Sequence, residues 1–172
     1  MNFYKHAIIL ATIDALHKHG SWTGKTHLQK ALSLLETVSP VAMPFEFTLY
    51  KHGPYSFDVE TELEQMKSYA AITALPVPDY YGVVLRRAQN ADYVNQVASL
   101  DDTTKEAIER ICAFIGKSDV KELEKLATAA WIRAKEGIQE PELVAERLHE
   151  LKPHISVANS LEADEKIRTM YS

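Results

Sequence analysis

The chain has 172 residues, of which 46% are hydrophobic and 25% charged, and its formal net charge is −5. This length and balance suit one soluble globular domain with a substantial core. The acidic bulk charge argues against general nucleic-acid binding, and a single cysteine, Cys112, excludes an internal disulfide and a cysteine-based metal cluster.

The longest apolar run, residues 7–11, is far short of the roughly 18–20 residues of a membrane span. The first residues do not read as a secretory signal, so a cytoplasmic location without a membrane partner is expected. Charge is unevenly placed. Residues 1–100 carry 8 Lys+Arg against 9 Asp+Glu, and residues 101–172 carry 11 against 15.

A first helix is predicted over Asn2–His19, with Tyr4, Ile8, Ile9, Ile13 and Leu16 on its apolar face and Gly20 as its stop. A second helix, starting at Ser21 or Thr23, runs to about Thr37. Leu28, Ala31, Leu32 and Leu35 form its i, i+3, i+4, i+7 stripe. Phe45, Phe47 and Leu49 alternate with Glu46, Thr48 and Tyr50, which predicts one half-buried strand ended by a Gly53-Pro54 turn. Ser56 is a good N-cap for a third helix over about 57–71, buried through Val59, Leu63, Met66 and Ala70.

Residues 73–77 and 80–87, around Pro78-Asp79, predict a hairpin. From Leu100 onward the pattern is helical. One helix carries Ile108, Ile111, Cys112 and Ile115 and ends at Gly116. A second runs from Ser118 or Asp119 to Gly137. A third has Pro141 in its first turn, and a last one is capped by Ser156. The expected fold is a mainly helical α+β domain over 1–172. A winged-helix-like part (helix, helix, strand, helix, hairpin) fills residues 1–90, and a helical part fills 98–172.

Three motifs invite a chemical reading beside a structural one. Gly20-Ser21-Trp22-Thr23-Gly24-Lys25-Thr26 approaches a phosphate loop, but it has three residues between its glycines instead of four and follows a helix, not a strand. It reads as a helix–helix connection. His17, His19, His27 and His52 lack metal-ligand spacing and read as solvated residues. Cys112 lies on an apolar stripe and reads as a small buried hydrophobe. No catalytic set, metal site or cofactor site is expected, and a non-enzymatic protein is.

The third helix carries Asp58, Glu60, Glu62 and Glu64 against Lys67, which repels a phosphate backbone and suits a protein partner. Tyr50, Tyr55, Asp58 and Glu62 are the expected partner-binding residues. The alternative is a winged-helix DNA-binding regulator that uses Lys25, Lys30, Arg86 and Arg87.

Four segments carry a resemblance. Residues 25–30 (Lys-Thr-His-Leu-Gln-Lys) followed by 47–56, ending Tyr50-Lys51-His52-Gly53-Pro54-Tyr55-Ser56, resemble the YwgA-like group of small bacterial proteins. In that group a Lys-Leu-Gln-Lys helix precedes a Tyr-Gly-Pro-Tyr-Ser segment. Residues 122–128 (Glu-Leu-Glu-Lys-Leu-Ala-Thr) and Leu151-Lys152-Pro153 are similar to that group's Glu-Leu-x-x-Leu-Ala-Thr and Leu-Lys-Pro pieces. The arrangement is more remotely similar to the Panacea domain of certain antitoxins. His52 before Gly53 and Thr26-His27 after Lys25 depart from the pattern. The resemblance implies a winged-helix-like α+β fold, no known catalytic activity, and binding or neutralising of another protein.

Overall fold

The computed structural model describes residues 1–79 and 82–171. The elements run α1 (Phe3–Lys18), α2 (Lys25–Val38), β1 (Thr48–Tyr50), β2 (Gly53–Tyr55), α3 (Phe57–Ser68), β3 (Ile72–Pro76), β4 (Val83–Arg87), α4 (Ala91–Val97), α5 (Asp102–Ile115), α6 (Val120–Trp131), α7 (Pro141–Leu151) and α8 (Val157–Arg168). The fold is mainly helical α+β, with two separate two-stranded antiparallel sheets. Among the described residues, no helix is long and apolar enough to cross a membrane.

Helix boundaries follow local chemistry. The side chains of Asn2, Ser56, Asp101, Asp119 and Ser156 each accept a backbone N–H from the first turn of the helix they precede. Gly116 and Gly137, both at positive φ, end helical segments. Between Trp131 and Gly137 the chain widens into a π-helical turn, Ile132–Glu136. Here Arg133 is buried and forks onto Asp164 of α8, with Nε 2.5 Å from Oδ1 and Nη2 2.8 Å from Oδ2.

Helix α1 lies in the middle of the core. His6, Ile8, Ile9, Leu10, Thr12, Ile13 and Leu16 are all nearly inaccessible, so it is buried almost all round. Tyr4, expected on its apolar face, is instead exposed. Helix α5 packs on α1, and α6 packs on α2 and α8. Buried apolar residues from Ala7 to Met170 form one continuous cluster that joins both parts of the chain. Cys112 belongs to it, and burial pushes its thiol up to about 12.

Three features differ from the sequence reading. The predicted single strand is a hairpin whose ladder pairs Thr48 with Tyr55, Leu49 with Pro54 and Tyr50 with Gly53. Lys51-His52 form the turn, so Gly53-Pro54 belong to a strand and do not end one. Proline is tolerated there because a two-stranded ribbon leaves its strands with an unpaired edge. Residues 45–47 lie outside the ladder: Phe45 is buried in the core and the Glu46 N–H donates to Asp58. Among the described residues the β1 strand also does not join β3 and β4, so the two hairpins remain separate sheets instead of one three-stranded winged-helix sheet. The β3–β4 hairpin is as expected, with a ladder from Ile72–Arg87 to Pro76–Val83. The part of that expectation falling on Tyr80 and Tyr81 lies outside the described residues. Helix α4 is absent from the sequence reading because its seven residues are too few to show a helical stripe.

Candidate functional site

Strands of three residues do not make an independently stable hairpin in water. The β1–β2 hairpin is instead fixed by buried polar side chains from α2, α6 and the end of α7. Consecutive residues of α2 reach it. The Gln29 amide donates to the Ser56 carbonyl at 2.8 Å and accepts the Ser56 N–H at 2.9 Å, and Lys30 Nζ donates to the Pro54 carbonyl at 3.0 Å. From the other side Lys152 Nζ donates to the carbonyls of Tyr50 at 3.1 Å and Lys51 at 2.5 Å. Ser56, with its backbone so held, accepts the Val59 N–H through its hydroxyl and starts α3.

Both lysines are almost wholly buried, Lys30 at 2% and Lys152 at 6% exposure. Glu124 of α6 supplies the opposite charge. Its Oε1 stands 3.7 Å from Lys152 Nζ and 3.3 Å from His154 Nε2, ion-pair distances without hydrogen-bond geometry. Burial pulls the Lys30 ammonium down to about 8; the attraction of Glu124 opposes this and the repulsion of Lys152 adds to it. Gly53 sits where these groups meet, at φ +98°. A Cβ there would lie 3.1 Å from Thr128 Oγ1 and 3.6 Å from Lys30 Cε, so a side chain is opposed by both space and backbone conformation. Residues 25–30, 50–56, 122–128 and 151–153, far apart in sequence, thus converge on one hairpin.

The outer face of this hairpin is aromatic. Tyr50 and Phe57 are 57% and 59% exposed, and Tyr55 lies half-buried between them. Ring centroids are 5.9 Å apart for Tyr50–Tyr55, 5.9 Å for Tyr50–Phe57 and 5.1 Å for Tyr55–Phe57, with edge-to-face or tilted geometry. A cavity of about 240 Å³ opens beside them, lined in part by Lys30, Tyr50, Tyr55 and the Lys25–Glu60 ion pair at 3.0 Å. Burial and the neighbouring Glu60 carboxylate, which hydrogen-bonds Tyr55, raise the Tyr55 phenol above its ordinary range.

Of the residues singled out for partner binding, Tyr50 and Tyr55 lie in this patch. Asp58 holds the Glu46 N–H at 2.9 Å and orders the approach to the hairpin. Glu62 faces inward, 2.7 Å from His6 Nε2 and 3.7 Å from Lys5 Nζ, so it is part of a buried network and not of the surface. The other two acids of α3 are also engaged: Glu60 pairs with Lys25, and Glu64 with Lys67 at 2.6 Å. Phe57 was missed because it reads only as the first helical residue after the cap. Glu124 and Lys152 were missed as members of the site because charged residues on helices read as solvent-facing.

The four residues of the DNA-binding alternative do not form one free basic surface. Lys30 is buried, and Lys25 pairs with Glu60. Arg87 pairs with Asp14 at 2.7 Å and Asp92 at 3.0 Å. Arg86 is exposed and has no carboxylate partner among the described residues; its Nη1 donates to Thr23 Oγ1 at 2.6 Å. His27, read as solvated, is buried at 4% exposure. Among the described residues no group of three or more His, Cys, Asp or Glu side chains is arranged to hold a metal ion.

The geometry defines a helical scaffold that presents a small aromatic surface on a locked hairpin. No family model matches the chain, and no curated protein matches it.

Proposed function

We propose that this protein is a non-enzymatic cytoplasmic interaction protein that binds another protein, in the manner of an antitoxin, through Tyr50, Tyr55 and Phe57. The observation that carries the reading is that these three exposed rings stand together on a backbone whose carbonyls are tied to buried lysines. Tyrosine and other aromatic residues dominate interface energetics, and a backbone ordered in advance lowers the entropy cost of association. The adjoining cavity has room for one apolar or aromatic side chain of a partner, with Lys25 and Glu60 as its polar rim. The resemblance of residues 25–30 and 47–56 to YwgA-like proteins, and more remotely to the Panacea domain, supports the same class of role.

The test compares proteins captured from cell lysate by the natural chain and by a Tyr50→Ser, Phe57→Ser double variant. Both rings are exposed, so the variant is expected to keep its helical circular dichroism. A partner retained by the natural chain and weakened at least tenfold by the double change supports the reading. An identical protein profile for the two chains overturns it.

A further inference from the structure

Lys30 ties down the hairpin, and it is also part of the wall of the 240 Å³ cavity beside the rings, although it is only 2% exposed. A lysine ammonium can donate three hydrogen bonds. Among the described residues Lys30 makes one, to the Pro54 carbonyl at 3.0 Å. The Glu124 carboxylate stands 3.7 Å from Lys152 Nζ, and Lys30 forms no ion pair of its own among the described residues. Two buried ammonium groups thus share one buried carboxylate. Gly53, on the same cavity wall, leaves the amine uncrowded, since a Cβ there would lie 3.7 Å from Lys30 Nζ.

An amine buried beside a second cation is held partly neutral, and a neutral amine has the lone pair that adds to a carbonyl carbon. Burial lowers the Lys30 amine to about 8; Lys152 adds to this and Glu124 opposes it. The other ionisable groups along the cavity are Lys25 and Glu60, which pair with one another, and His52 and Tyr55. At pH 7.5 about a quarter of such amines are neutral, against about one in a thousand at the ordinary 10.5.

We propose that this cavity binds a short 2-oxo acid and that Lys30 joins its carbonyl carbon as a Schiff base. The volume is below that of drug-sized sites and suits a ligand of a few non-hydrogen atoms. The Nζ lone pair forms the C–N bond, and one amine proton moves to the carbonyl oxygen to give a carbinolamine. This loses water as the C=N bond forms, and the imine nitrogen takes a proton from solvent; no oxidant or reductant is consumed. The protonated imine keeps one N–H, which can go on donating to the Pro54 carbonyl, so the hairpin stays tied. The ligand's carboxylate supplies the negative charge that the two ammonium groups lack. The reaction needs no protein partner, so it is tested on the isolated chain, separately from the partner-binding reading.

The test treats the full chain with glyoxylate and sodium cyanoborohydride, which reduces the imine to a stable carboxymethyl amine, and maps the modified lysines by peptide mass spectrometry. Lys51, exposed in the adjoining turn, is the internal reference. At about pH 7.5, Lys30 is expected to be modified at least tenfold faster than Lys51. The ratio of the two rates is expected to fall as pH rises past about 8, and to fall to near one in urea. Acetaldehyde, which has the carbonyl group but no carboxylate, is expected to show at least a fivefold smaller preference for Lys30. Modification of Lys30 no faster than of Lys51 overturns the proposal. So does a preference that persists in urea, or one as large with acetaldehyde as with glyoxylate.

Discussion

The β1–β2 and β3–β4 hairpins differ in what satisfies their backbones. The β3–β4 pair has a five-residue ladder of its own, and it is joined to the chain before α2 by further bonds involving backbone groups: the Leu85 N–H to the Thr23 carbonyl and the Thr23 hydroxyl to the Leu85 carbonyl. Its charged residues, Arg86 and Arg87, decorate it from outside. The β1–β2 pair is too short for that. Its turn and strand carbonyls are taken by Lys30 and Lys152, and the charge of those lysines is met by Glu124. One hairpin is held by strand pairing and the other by buried ions. Removing a charge should therefore damage the second far more than the first.

The largest effect is expected from Glu124→Leu. It leaves two buried ammonium groups without their counter-charge, a situation that costs about 3–5 kcal/mol. The urea midpoint should fall accordingly, and the Tyr50–Phe57 patch should lose order in NMR spectra. A change below about 1 kcal/mol would show that Glu124 does not balance the clamp.

The next effect is a pH dependence carried by Lys30. Its folded value, about 8, lies below the ordinary 10.5. Between those values the unfolded chain binds more protons than the folded one, so this residue's contribution to stability rises with pH from about 8 to 10.5. Glu124 and Lys152 are the charged groups that face it. The natural protein should gain about 3 kcal/mol over that window relative to Lys30→Met. Denaturation at a series of pH values checks this, and parallel curves for the two proteins would refute it.

The smallest effect belongs to the other hairpin. Arg87→Ala removes two exposed ion pairs, to Asp14 and Asp92, and should cost less than about 1 kcal/mol. A loss as large as that of Glu124→Leu would erase the distinction between the two hairpins.

The sequence made some of this legible and hid the rest for physical reasons. Helix periodicity, caps and the β3–β4 hairpin are local signals, and they placed most elements. Cys112 sat on an apolar stripe that told where it would go. The alternation of Phe45 to Tyr50 is also local, and it misled, because Phe45 leaves the ladder to enter the core and residues 48–55 fold back on themselves. The clamp was illegible in another way. Nothing in the neighbourhood of Lys30 or Lys152 distinguishes a lysine bound for the interior from one bound for solvent. Only the meeting of α2, α6 and the end of α7 provides the carbonyls and the carboxylate that make burial tolerable. Tyr50 and Tyr55 drew attention through their motif, whereas Phe57 completes the patch through a turn of the chain that composition does not record.

The reach of Lys152 has a consequence for how the protein is made. During synthesis the hairpin emerges about a hundred residues before the side chain that ties down its turn, so the aromatic surface is not set until α7 has been made and docked. A nascent or truncated chain that ends before α7 carries the three rings but not their fixed arrangement. Under the proposed role, partner binding would be a property of the finished molecule, and a ribosome-bound fragment would be poorly equipped for it.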